Sequence, residues 1–287
     1  MAGLIQKSTD NPFDIRDGRA MVSLGPLSPK KYCTFSCPFC YVDAGFLPYA
    51  NLTIDDTIAW LEGHRGKFDI IYVSGDTDSF APPRMSEGIK LLERLTRFDV
   101  DLMFTTRAVF GTSYLTKIKQ IRDDLGSHGR LLFGCTSIAQ LHHQYLEPKP
   151  IPPPHARIAQ LRSFKELGLV SVHAMRPFLP VVPVRDYLEL IDLVKENIDL
   201  ILGEVWYADK GGLLEKGVFR GATPTNEYSE HKMDFDDNDE VWKVYESRET
   251  EEAVSKKCAE LNIPFFMRSA PAVAWVRSQR DNFLHRG

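Results

Sequence analysis

No apolar run in this chain approaches the ~20 residues that cross a bilayer, so a membrane-spanning helix is not expected. The opening stretch MAGLIQKSTDNPFD lacks the apolar core of a secretory signal, which makes the cytoplasm the expected compartment. An excess of positive charge is also missing. The 35 Lys and Arg face 39 Asp and Glu, for a formal net charge of −4. That balance argues against a surface given over wholly to nucleic acid, although a local basic groove remains compatible with it. No internal repeat stands out. Cysteine is scarce, at five in 287 residues, and the odd count in a reducing compartment argues against a disulfide framework.

What is present is the balance of an ordinary globular protein, 43% hydrophobic and 26% charged. Short apolar runs alternate with amphipathic ones. AMVSL (20–24), FDIIYVSG (68–75), DVDLMFTT (99–106), RLLFGCTS (130–137), LVSVHAMRPF (169–178) and IDLILGEVWY (198–207) read as six strands. Helices are expected between them: at 52–64, opened by a Thr53 and Asp56 capping box, at 88–98, within 111–125, at 155–168 with Gly168 as C-cap, and at 185–197. Continuous apolar strands alternating with helices imply a parallel sheet covered on its outer face, as an incomplete barrel or a doubly wound sheet. In either, functional groups gather beyond the C-terminal ends of the strands. Past residue 208 the alternation weakens: 209–226 reads as loop, the acidic run DFDDNDE (234–240) as a solvated face, and 251–269 as a helix and a short strand before a last helix. The expected division is a core at 1–208, including an N-terminal lead-in, and a C-terminal extension at 209–287 packed on it.

Three of the five cysteines, Cys33, Cys37 and Cys40, fall within YCTFSCPFCY (32–41), directly after the first strand. Four cysteines are the usual ligation of a cubane iron-sulfur cluster, so three on one loop would hold three irons and leave the fourth for an exogenous ligand. A zinc knuckle completed by a distant residue is the alternative. Cys135 and Cys258 form no second Cys-x-x-Cys pair, however, and no His stands at finger spacing from Cys40.

The Cys33-x3-Cys37-x2-Cys40 spacing, with aromatic Phe39 before the last cysteine, resembles the signature of the radical S-adenosylmethionine (SAM) superfamily. The stretch LEPKPIPPPHARIAQLRSFKELGLVSVHAMRPFLPVV, with Glu147, Pro148, Arg157, Pro177 and Pro180, and the segment TDSFAPP (77–83) resemble its spore photoproduct lyase-like branch. The resemblance covers roughly residues 19–205. It implies a partial (β/α)6 TIM-type barrel of parallel strands plus a C-terminal α/β extension. It also implies a [4Fe-4S] cluster whose open iron binds SAM, and an external reductant of flavodoxin or ferredoxin type. Reduction of the cluster would cleave SAM to a 5'-deoxyadenosyl radical that abstracts hydrogen from an unknown small-molecule, nucleotide or peptide substrate. DNA lesion repair is an alternative, less favoured because basic residues are interspersed with acidic ones. A non-catalytic zinc or iron-sulfur protein is the other.

Under this resemblance Cys33, Cys37 and Cys40 are the metal ligands, and Phe39 belongs to their loop. Ser74, Gly75, Asp76 and Thr77 end the second strand, where Asp76 and Thr77 offer acceptors to the SAM ammonium group. Thr105, Thr106 and Arg107 end the third strand, toward the SAM ribose and carboxylate, and Ser137 the fourth. Arg176 ends the fifth, with a guanidinium suited to a carboxylate. Cys135 is a weak catalytic candidate as a hydrogen-atom donor, against the commoner reading of a small buried hydrophobe. Glu147, His142 and His143, on the loop after the fourth strand, are candidates for substrate contact or proton transfer, and Tyr207 and Asp209, at the end of the sixth, have the right position for substrate binding but no motif. Cys258 reads as structural.

Overall fold

A computed structural model describes residues 13–25, 33–44, 53–222, 227–232 and 241–286. The acidic run 234–240 lies outside the described residues. The chain begins with a hairpin, β1 (Asp14–Arg16) and β2 (Arg19–Val22). Its turn is Asp17-Gly18, with φ of 48° and 72°, the left-handed pair that suits the twist of a two-residue hairpin. The cysteine loop follows β2. Five β/α steps come next: α1 (Ile54–Gly63), β3 (Ile70–Val73), α2 (Met85–Leu95), β4 (Asp101–Thr106), α3 (Thr112–Ser127), β5 (Leu132–Ser137), α4 (Pro154–Glu166), β6 (Val170–Met175), α5 (Val184–Val194) and β7 (Leu200–Gly203). The capping box at Thr53 and Asp56 forms as expected.

Beyond β7 the chain turns outward into β8 (Trp206–Asp209), α6 (Leu213–Val218), β9 (Ser229–Lys232) and β10 (Val241–Tyr245). It returns through α7 (Arg248–Glu260), β11 (Phe265–Phe266), α8 (Ser269–Ser278) and α9 (Arg280–Leu284). The main sheet runs β1-β2-β3-β4-β5-β6-β7-β11, parallel from β2 to β11. It curls into a half barrel. A separate antiparallel sheet runs β8-β10-β9.

Three features differ from the sequence reading. The run 198–207 is not one strand but two, because β7 completes the barrel while β8 leaves it to pair with β10. Residues 213–218, read as loop, form α6, whose first turn is capped by Asp209 accepting from the amides of Leu213 (2.9 Å) and Leu214 (2.8 Å). The tail also returns to the barrel itself, since Phe265 and Phe266 pair in register with Ile201 and Leu202.

The two faces of the barrel sheet have different partners. Ile71, Val73, Leu102, Phe104, Leu132 and Ile201 face the crossover helices in the larger core. Alternation places Ile70, Tyr72, Met103, Phe133, Val172, Leu200 and Leu202 on the other face, against Ala272, Val273, Val276 and Phe283 of α8 and α9. Full burial of each such side chain contributes about 1.5–3 kcal/mol. Asp101, buried at the start of β4, fastens this plug by accepting from Arg277 Nε (2.7 Å) and Arg280 Nη2 (2.8 Å). The C-terminal helices thus close the end of the sheet opposite the cysteine loop.

Candidate functional site

The same alternation that makes the inner face apolar below makes it polar above. Along β3 it reads Ile70, Tyr72, Ser74, and along β4 Met103, Thr105, Arg107. On β5 it reads Phe133, Cys135, Ser137, on β6 Val172, Ala174, Arg176, and on β7 Leu200, Leu202, Glu204. The upper members open into one cleft at the C-terminal ends of the strands. Its open space, mouth included, is about 770 Å3. It is a narrow slot lined by polar and aromatic side chains.

Every cofactor-binding candidate lines this slot: Phe39, Ser74, Gly75, Asp76, Thr77, Thr106, Arg107, Ser137 and Arg176. So do Thr105 and Tyr207. Ser74 takes a left-handed φ of 66°, which turns the chain sharply out of β3, and its hydroxyl accepts from the Ser79 amide at 2.9 Å. Ser79 in turn accepts from the Leu24 amide at 3.1 Å, tying this turn to the end of β2. At Gly75 a Cβ would press on the flexible methyl end of Met21 and lie 3.9 Å from the Tyr72 ring.

The cysteine loop forms the slot's other side. Cys40 lines it directly; Cys37 is buried beside it and Cys33 is half-buried. The Cys40 amide donates to the Cys37 carbonyl at 3.0 Å, closing a tight turn, and the Thr34 hydroxyl donates to the Pro82 carbonyl at 2.7 Å. Burial pushes the Cys33 thiol up to about 12, with Asp78 adding to the effect. Burial raises the Cys37 thiol further, opposed by the Arg107 guanidinium. The Cys40 charge adds to the rise at Cys33, and the Cys40 and Cys33 charges add to the rise at Cys37. Two thiols whose ionised forms are so disfavoured, Cys33 and Cys37, require a cationic centre beside them to ligate as thiolates. Among the described residues no three His, Cys, Asp or Glu side chains surround a single point as one ion would require. A cubane spreads its ligand sulfurs over three corners, and three thiols on one tight loop are a donor set of that kind.

Arg107 is held from three sides. Its Nε donates to Glu147 at 3.1 Å, its Nη2 to the Arg176 carbonyl at 3.1 Å, and its guanidinium lies 5.3 Å from the Phe39 ring centre. Arg176 donates to the Gly203 carbonyl at 3.3 Å and lies 3.9 Å from the Glu204 carboxylate.

Sequence reasoning missed several members. Asp78 lines the slot and accepts from the Thr106 hydroxyl (2.9 Å), the Arg107 amide (2.7 Å) and the Phe80 amide (3.0 Å). Burial still raises its carboxyl above the ordinary value. Tyr41 donates to Asp76. Tyr72, Glu204 and Trp206 complete the walls. Of these, Tyr72 and Glu204 carried a readable signal as the inner-face residues of their strands, and Asp78 lay within the TDSFAPP segment.

Other candidates fall outside. Glu147 does not reach the cleft; it is buried between Arg157 and Arg107. His142 pairs with Glu189 at 3.2 Å and His143 with Asp186 at 3.3 Å. Asp209 is spent on the α6 cap. Cys135 lies one layer beneath Ser137, fully buried, bonded to Thr105 and pushed up to about 12 by burial. Cys258 is buried under α7, where burial pushes it up to about 11.

No protein-family model matches the chain. Among solved structures, a spore photoproduct lyase variant with bound AdoMet and dinucleoside spore photoproduct is similar over 87% of this chain and 76% of its own, at a TM-score of 0.64 and 15% identity. Streptococcus suis SuiB bound to S-adenosylmethionine covers 87% of this chain and 50% of its own, at a TM-score of 0.54 and 16% identity. An uncharacterized protein, ORF301 of Acidianus two-tailed virus, is 27% identical over 194 residues, 60% of each chain. The chain therefore spans less than two thirds of that viral relative's length. The chain shares its fold with spore photoproduct lyase and SuiB. That fold is the parallel half barrel described above, and the proline-rich stretch around Glu147 resembles the spore photoproduct lyase-like branch. Among the described residues no helix is long and apolar enough to cross a membrane.

Proposed function

We propose that this protein is a radical SAM enzyme acting on an organic substrate of small-molecule, nucleotide or peptide type. One observation carries the reading. The cofactor-binding residues chosen from four separate strand ends and the cysteine loop all line a single slot, on a fold shared with proteins solved with SAM bound.

Cys33, Cys37 and Cys40 would hold a [4Fe-4S] cluster, and Asp76 with Thr77 would accept from the SAM ammonium group. Arg107 or Arg176 would take its carboxylate, a match of planar fork to planar anion. When bound and reduced by a flavodoxin- or ferredoxin-type donor, the cluster would supply the electron that cleaves SAM to a 5'-deoxyadenosyl radical. The chain's own task is to hold the groups around that event and keep water out. Glu147 and Phe39 fix the Arg107 fork, and Asp78 anchors the β4 end through Thr106 and the Arg107 amide. Tyr72, Trp206 and Tyr207 give the slot its aromatic walls. Cys135, closed off beneath the floor, is the weaker candidate for a hydrogen-atom donor.

Duplex DNA is the less favoured substrate. The Glu204 side chain, 41% exposed at the mouth, would oppose a phosphate backbone.

The test is anaerobic reconstitution with iron and sulfide, then addition of dithionite and SAM, with chromatographic detection of 5'-deoxyadenosine. The expected result is production in the wild type and none in Cys33→Ala, Cys37→Ala or Cys40→Ala. A protein that takes up one zinc, shows no cluster absorption and makes no 5'-deoxyadenosine refutes the reading in favour of a structural metal site.

A further inference from the structure

The small sheet β8-β10-β9 and α6 are not needed to close the half barrel, yet they grip the cysteine loop at successive residues. Pro38 packs on α6 so closely that a Cβ at Gly217 would lie 2.9 Å from its Cβ and 3.1 Å from its carbonyl oxygen. Phe39 accepts a hydrogen bond at 3.2 Å from the indole Nε1 of Trp206, on β8. Tyr41 meets Trp242 of β10 edge-on, with ring centres 6.2 Å apart.

The bond to Phe39 matters most, because its carbonyl and the Cys40 amide belong to one rigid peptide plane. The amide end is held by the Cys37 carbonyl and the carbonyl end by Trp206. With both ends held, the plane cannot rotate, and the direction in which the chain enters Cys40 is set. Trp206 is itself immobilised: it is 1% exposed and stacks on Tyr245 at 4.9 Å and 28°. The Tyr245 hydroxyl donates to Glu215 of α6, which also accepts from Lys243 at 2.8 Å.

We propose that β8 and α6 position the cysteine loop, with Trp206 and Gly217 as positioning residues that aim Cys37 and Cys40. For the loaded protein this rests on the cluster reading above; for the loop itself it does not. The role of this part of the extension is then to fix the ligand loop of a site whose motif lies some 170 residues earlier in the sequence.

Two variants test it. Trp206→Phe keeps the aromatic stack and removes only the donor. Gly217→Ala adds a methyl against Pro38 while favouring the helix it sits in. Iodoacetamide labelling of the cluster-free, reduced protein, read peptide by peptide, should quicken at Cys40 in Trp206→Phe by about three- to tenfold, the factor one net hydrogen bond is worth. Gly217→Ala should also change Cys37 and Cys40 labelling, without a fall in melting temperature. Trp275→Phe, which removes an indole far from the loop, should leave labelling unchanged. After reconstitution, both loop variants should show a shifted electron paramagnetic resonance spectrum of the reduced cluster. Wild-type labelling rates in both variants would overturn the proposal. If the wild type takes up no cluster, the radical reading falls while the labelling still decides this one.

Discussion

Glu147 offers the sharpest test of how the site is supported. Its side chain is fully buried and accepts from Arg157 Nη1 (2.8 Å) and Nη2 (2.6 Å), Arg107 Nε (3.1 Å) and Gln140 Nε2 (3.1 Å). Burial pushes the carboxyl upward, but the two arginines outweigh it and hold the carboxyl below its ordinary value. Glu147→Ala leaves one wholly buried guanidinium and one mostly buried one uncompensated, at a cost of about 3–5 kcal/mol. That is a large part of the ~5–15 kcal/mol that holds a domain folded. Arg157→Met alone should cost a similar amount, because it strands the carboxylate. The double variant Glu147→Met, Arg157→Met should be no worse than the more damaging single, since it leaves neither member of the pair alone. The assay is urea unfolding followed by circular dichroism on reduced, cluster-free protein. The wild-type advantage over Glu147→Gln should be full above pH 4.5, the ordinary carboxyl value, and shrink as pH falls through the lowered native one. A cost under about 1 kcal/mol for Glu147→Ala, or strictly additive singles, would refute the account of Glu147 as the support of Arg107.

Two further predictions concern the scaffold. His173 is buried on β6, where its Nε2 donates to the Ile138 carbonyl at 3.3 Å and its Nδ1 has no hydrogen-bond partner among the described residues, and burial pushes it down to about 4 from 6.5. The unfolded chain therefore takes up a proton that the folded one refuses, and between pH 6.5 and pH 5 the wild type should lose about 2 kcal/mol more than His173→Leu. Equal losses in urea titrations at the two pH values would count against it. Gly88 lets α2 approach the site turn, since a Cβ there would lie 2.5 Å from the Ser79 carbonyl and 2.8 Å from the Phe80 ring. Gly88→Ala should lower stability by about 1–3 kcal/mol despite its better helix propensity, and a raised melting temperature would contradict the clash.

Much of the architecture is written in local patterns. β3 to β7 show as apolar runs because both faces are covered, and the Thr53 box marks the start of α1 through neighbours three residues apart. The hairpin β1–β2 was equally legible in Asp17-Gly18, although the reading began the sheet only at Ala20. The cysteine spacing pointed to the chemistry of the loop, and the polar residues ending each strand pointed to the slot. These signals survive in sequence because each depends on residues close along the chain, or on a strand's period of two.

What no local pattern carried is the meeting of distant parts. That β7 ends at Gly203 while β8 departs depends on a partner, β10, more than thirty residues away. That α8 and α9 plug the inner face depends on Arg277 and Arg280 finding Asp101 across more than 170 residues. Trp206 over Phe39, Tyr41 on Asp76 and Glu147 under Arg107 are likewise products of strand register and loop closure. The residues specify which groups reach the top of the barrel. Only the long-range packing decides which of them touch, because a contact between distant segments forms only after the whole sheet has set their positions.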